Sequence, residues 1–163
     1  MTMNQPVDLS RFTEAQKRYF SLALGEILRG KKQSHWIWYI FPVIQGFRNS
    51  KNHRYYAIKS LEEAKKYMED SYLGENMLRI CQALLDLPTN DPVEVFGSID
   101  DIKVQASMTL FALADVRGEI FRQVLAKFFR GEPDPMTMAL LDIPDHAFLP
   151  EGNASFDTRY GEV

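Results

Sequence analysis

The chain has 163 residues, 45% hydrophobic and 12% aromatic, which is ample for one packed domain. Its 22 acidic and 19 basic residues give a net charge of −3 with the signs interspersed, which argues against nucleic acid or anionic lipid as primary partner. The single cysteine, Cys81, excludes an internal disulfide and a cysteine-built zinc cage; among Leu78, Ile80, Leu84 and Leu85 it reads as a small apolar filler.

Residues 1–7 are a polar leader without the basic cluster and apolar run of a signal peptide. No segment approaches the ~18 apolar residues of a membrane span, so a cytoplasmic protein with no membrane association is expected. Asp8 or Ser10 can cap a helix carrying Phe12, Ala15, Tyr19, Leu22, Ala23 and Ile27 at helical spacing, and Gly30 can end it. The densest apolar stretch follows, from Ser34 to Pro42, and holds both tryptophans. With Ser34 as cap and Pro42 as terminator it reads as a short buried helix, a strand being the alternative, and it is expected at the centre of the core. Residues 43–52 read as loop, the start of a basic stretch containing Arg48, Lys51, His53 and Arg54.

Ser60 with Glu63 has capping-box spacing for a helix over 61–69, with Ala64, Tyr67 and Met68 facing inward. Leu73, Met77, Leu78, Cys81, Leu84 and Leu85 mark the next helix, which stops before Pro88. Asp91-Pro92 starts one or two turns that Gly97 breaks, and a longer helix resumes to Ala114. Helices over 119–129 and 136–141 complete the domain, the latter entered through Asp134-Pro135. The expectation is an all-α fold: a single compact domain over 8–141 with seven or eight helices and no significant sheet. Residues 142–163 have no sustained period and read as an extended or disordered tail, docked locally through Phe148 and Phe156.

Six residues frame a candidate ligand pocket: His35, Trp36, Arg54, Tyr55, Lys103 and Ser107. His35 beside Trp36 and Trp38 is the candidate for proton transfer, since imidazole titrates near neutrality; the alternative is a histidine satisfied by a backbone carbonyl. Lys103 and Ser107 lie one helical turn apart beside an apolar stripe and can contact an anion, or the lysine can lie solvated along its stem. Arg54 can clamp a phosphate or carboxylate while Tyr55 closes the pocket, unless it is an ordinary loop charge. His35, His53 and His146 lack paired ligand spacing, so no metal is expected. No glycine-rich phosphate loop occurs and no cofactor is expected. A small anionic, nucleotide-like ligand is therefore one reading; a helical module meeting a protein partner is the other.

Five ordered motifs carry a family likeness: Asp8 to Phe12 with Ala15-Gln16, Ser34 to Pro42, Arg54 to Ile58, Phe96-Gly97-Ser98, and Lys103 with Ser107 to Phe111. Together they resemble the bacterial family catalogued as domain of unknown function 1810, over about Asp8 to Leu141. The resemblance implies a compact, mainly helical protein and no established activity. His53 to Lys59 followed by Val124 to Phe129 is also similar to the NADAR family, helical proteins acting on ADP-ribose-type linkages. Asn52 stands where that family has a glutamate.

Overall fold

The computed structural model describes residues 7–115 and 118–148. The leader up to Pro6, and Phe156 with the rest of the tail past residue 148, lie outside them. Eight α-helices occur among the described residues: α1 Ser10–Leu28, α2 Ile37–Ile40, α3 Lys51–Tyr56, α4 Leu61–Glu69, α5 Ser71–Leu85, α6 Pro92–Ala114, α7 Glu119–Phe129 and α8 Pro135–Leu140. The all-α expectation holds. The only strand-like feature among these residues is a parallel bridge between Ile44 and Ile58, where Gln45 N–H meets Ile58 O at 2.8 Å and Ile58 N–H meets Val43 O at 2.9 Å. None of the described helices is long and apolar enough to cross a membrane.

Local chemistry sets the boundaries. Neither Asp8 nor Ser10 is the cap of α1: the cap position is Leu9, without a side-chain bond, and Asp8 takes the Ser10 N–H from one residue earlier, while Gly30, at φ +85°, follows the end of the helix. Ser60 Oγ accepts the Glu63 N–H at 3.1 Å as the capping box requires, but Glu63 reaches back one residue further, taking the Lys59 N–H at 2.8 Å and the Arg11 guanidinium at 3.0 Å. Asp91 and Asp134 cap α6 and α8 with proline following each. Gly97 interrupts α6 at φ +87°, ψ 166°, a backbone conformation accessible essentially to glycine.

Two further expectations need correction. Ser34 does not cap α2, because its hydroxyl is held by Glu26. Residues 51–52, read as loop, begin α3, a six-residue helix with no apolar period that Ser50 caps. The start of the expected tail forms a 3-10 turn, Asp145–Phe148, in which Phe148 is buried and its carbonyl accepts from Arg122.

The core lies where α1, α5, α6 and α7 pack together, with α4 closing against α5 and α6. Trp36, Tyr67, Phe12, Phe41, Phe111 and Phe121 are its largest fully buried side chains. Cys81 is fully buried on α5, 3.7 Å from Met108 Sδ on α6, and burial pushes its thiol pKa up. A polar thread crosses this apolar interior: Asn76 donates to Gln16 Oε1 at 3.0 Å, and Gln16 Nε2 donates to the Tyr39 carbonyl at 2.7 Å and the Tyr67 hydroxyl at 2.9 Å. It fixes α2 against α1, and so fixes the tryptophan segment that forms one wall of the site described below.

Candidate functional site

The short α2 and α3 face each other, and their side chains diverge to two sides. On one side Tyr39 meets Tyr56; on the other Trp38 meets His53 edge-on, with ring centroids 6.1 Å apart and planes at 79°. His53 is positioned by the cap of its own helix. Ser50 Oγ accepts the His53 backbone N–H at 3.3 Å and lies 2.6 Å from Nδ1. The other ring nitrogen, Nε2, is buried with no hydrogen-bond partner, and so is Trp38 Nε1. Buried polar atoms are normally paired, because an unmet donor costs about 1–3 kcal/mol, so two unpartnered ring nitrogens on one pair of side chains is an arrangement that requires a physical reason.

The charges that act on His53 come from Lys103 and Asp100 on α6, just beyond its break, and from Arg48 in the loop before α3. Asp100 Oδ1 accepts from Lys103 Nζ at 3.0 Å, and Oδ2 accepts from Lys32 Nζ at 2.8 Å. Burial opposes ionisation of Asp100, but the two ammonium groups outweigh it and hold the carboxyl below its usual value. Two lysines thus share one carboxylate. His53 is pushed down to about 4, first by burial and then by Lys103 and Arg48, with Asp100 opposing. It is a neutral imidazole at physiological pH. Asp101, next on the helix, is shifted the other way, raised chiefly by burial, and its Oδ1 is unpartnered. Ser107, one turn beyond Lys103, is fully buried and its hydroxyl also lacks a partner.

Glu26 holds the other wall. This buried carboxylate on α1 accepts from Gln33 N–H at 2.7 Å, Ser34 N–H at 2.9 Å, Ser34 Oγ at 2.5 Å and Trp36 Nε1 at 2.9 Å. Burial would raise its pKa, but these donors, led by the Ser34 hydroxyl, bring it down to about 2. Lys32, tied by its N–H to Val95 O at 2.7 Å, places its ammonium 5.2 Å from the Trp36 ring centre.

The six residues singled out in the sequence therefore divide. Lys103 and Ser107 stand on the inner face of α6, the lysine close enough to His53 to act on it electrostatically. Trp36 lies beneath Lys32, but its indole N–H is spent on Glu26. His35 is exposed, and so is Arg54, whose guanidinium caps the Asn49 carbonyl. Tyr55 lies on the opposite side of α3, in a cleft of about 240 Å³ that it shares with Arg11, Arg18 and Tyr19. Sequence reasoning missed His53, Trp38, Asp100 and Lys32 as members of one cluster. The spacing Ser50-x-x-His53, a cap whose third residue is a histidine, is the signal that points to the first of these. Among the described residues no group of three or more His, Cys, Asp or Glu could hold a metal ion.

The family described as "Protein of unknown function (DUF1810)" matches residues 6–141. Among solved structures, the chain is similar to the conserved hypothetical protein Rv1873 from Mycobacterium tuberculosis. The two are 36% identical, with a TM-score of 0.82 covering 86% of this chain and 100% of that one. No curated protein matches the chain. The likeness to the NADAR family receives no support from these comparisons.

Proposed function

The chain belongs to the DUF1810 family, and on that premise we propose that it binds a small phosphate-bearing ligand between Trp38, His53 and Lys103. One observation carries the reading: two buried ring nitrogens have no partners, and Lys103, which acts on His53 electrostatically, shares a single carboxylate with Lys32. Indole N–H and ammonium groups only donate, and a neutral imidazole protonated on Nε2 donates there as well. An oxyanion with several acceptor atoms satisfies such a group at once, while the surplus positive charge of the lysines offsets its own.

The test is thermal unfolding with inorganic phosphate, AMP and adenosine, on the native chain and on Trp38→Phe. A ligand at a hundred times its Kd adds about 2.7 kcal/mol, a rise in Tm on the order of 5–10 °C for a chain of this length. Phosphate and AMP should stabilise the native chain, adenosine should not, and Trp38→Phe should blunt the response. Indifference to all three compounds rejects the reading. It would favour a protein-interaction module instead, for which the observation is that Val93, Ile99 and Ile102 are exposed on α6.

A further inference from the structure

Beside the cluster lies a depression of about 630 Å³ whose walls include Arg29, Lys31, Lys32, Val95, Phe96 and Gly97. Its volume falls in the range of small-molecule sites, roughly 300–1,000 Å³. Its basic side is the turn after α1, where three cationic residues fall within four positions on a chain whose net charge is −3. Arg29 and Lys31 are exposed and make no ion pair or side-chain hydrogen bond among the described residues. The one acid in the wall, Glu94, accepts from Thr89 Oγ1 at 2.9 Å.

The depression is preformed. Glu26 anchors the turn through Gln33, Ser34 and Trp36, and the Lys32 to Val95 bond ties that turn to the first segment of α6. Phe96 is braced from behind by Phe41, edge-on at 5.8 Å. At Gly97 an added Cβ would meet nothing within 4 Å, so the backbone there faces open space. Lys32 belongs to both places. It lines the depression, and its ammonium bonds Asp100, which also holds Lys103.

We propose that the ligand carries two linked phosphates, one held by Trp38, His53 and Lys103 and the second by Arg29 and Lys31 in the depression, with Lys32 between them. The inference rests on the anion site proposed above and adds to it the class of ligand, a diphosphate. A single phosphate leaves Arg29 and Lys31 without a counter-charge, whereas a diphosphate engages both groups of cations through one molecule, and the second contact costs no further loss of translational freedom. The backbone of the basic turn is tied down before binding, so the ordering cost falls mainly on the exposed Arg29 and Lys31 side chains.

The experiment is calorimetric titration of the full chain with inorganic phosphate and inorganic pyrophosphate, repeated on the double variant Arg29→Ser/Lys31→Ser and on Lys103→Met. The two positions in the double variant are exposed, so its fold should be intact. On the native chain pyrophosphate should bind at least tenfold more tightly than phosphate. The double variant should reduce that preference to within about twofold while leaving phosphate affinity unchanged, and Lys103→Met should weaken both ligands. Equal affinity of the native chain for the two ions, or a preference that survives in the double variant, overturns the diphosphate inference while phosphate binding keeps the anion site. Pyrophosphate binding that Lys103→Met leaves untouched confines the ligand to the depression and overturns the shared site. Absence of binding by either ion rejects both proposals together.

Discussion

Ser50 and His53 are joined twice, through the serine hydroxyl to the histidine backbone N–H and to ring Nδ1 at 2.6 Å. A hydroxyl that accepts the backbone proton can turn its own proton to Nδ1, and in that arrangement the ring proton sits on Nε2, the buried nitrogen without a partner. We expect the helix cap to select this tautomer. Nitrogen-15 NMR of the histidine ring should report predominantly the Nε2–H form. Ser50→Ala should cost about 0.5–2 kcal/mol through the lost cap and move the ring toward a mixture of tautomers. A ring already in the Nδ1–H form in the native chain would contradict the assignment of Nε2 as a donor.

The depressed pKa of His53 makes stability depend on pH in a defined window. Its folded value of about 4 lies below the ordinary 6.5, so the unfolded chain binds a proton that the folded chain refuses. The associated stability is fully present above about pH 6.5 and is lost as pH falls toward 4. Glu26, down at about 2 against an ordinary 4.5, loses its contribution only below about pH 4.5, and Asp101, raised by burial, acts in the opposite sense in the acid range. The interval from 6.5 to 4.5 thus belongs mainly to His53. Denaturant unfolding across it should show a steeper loss for the native chain than for His53→Gln, and parallel curves would mean that the imidazole titrates normally.

The two tryptophans should respond oppositely to the same change. Trp36→Phe removes an indole N–H that Glu26 accepts at 2.9 Å in the fully buried core, and a hydrogen bond to a charged group is worth about 1.5–3 kcal/mol. Trp38→Phe removes a donor that has no partner and keeps an aromatic ring against His53, so its stability should change by less than about 1 kcal/mol. Phosphate affinity should follow the reverse order, strongly reduced in the Trp38 variant. Calorimetric unfolding and ligand titration on both variants decide the matter.

Lys103 and Arg54 separate a buried cation from a surface one. Lys103→Met leaves Asp100 with Lys32 as its remaining partner, so the loss in stability should stay below about 1 kcal/mol while anion-dependent stabilisation weakens. Arg54→Leu gives up only a contact with the Asn49 carbonyl at an exposed position and should leave both quantities unchanged. Loss of phosphate response in the arginine variant would shift the site to the outer face of α3.

The fold was legible in the sequence where local chemistry and global packing agree. Ser60 with Glu63, Asp91-Pro92, Asp134-Pro135 and the break at Gly97 act within a few residues of themselves, so their signals survive without tertiary information. α3 was not legible, because Lys51 to Tyr56 has no apolar period and is held by the Ser50 cap and by packing against α2. Glu26 was hidden for a similar reason. An acid beside Ile27 on an amphipathic helix reads as solvated, and only the return of residues 33–36 over it supplies four donors. The candidate site was half legible. Lys103 and Ser107 follow from helical spacing, but choosing between His35 and His53 depends on which way a four-residue helix turns its side chains. With Trp36 drawn inward by Glu26, His35 is left outside.

The burial of Cys81 gives the protein a built-in clock. With its thiol sealed between α5 and α6, and its pKa raised so that almost no thiolate exists in the folded chain, a thiol-modifying reagent can act only when those two helices part. Labelling therefore counts openings of the whole core and ignores the fraying of termini and loops. At high reagent concentration its rate is the unfolding rate itself, and at low concentration it reads the equilibrium between open and closed chains. Any ligand that holds the folded state should slow this clock in the low-concentration regime, with no need to introduce a probe.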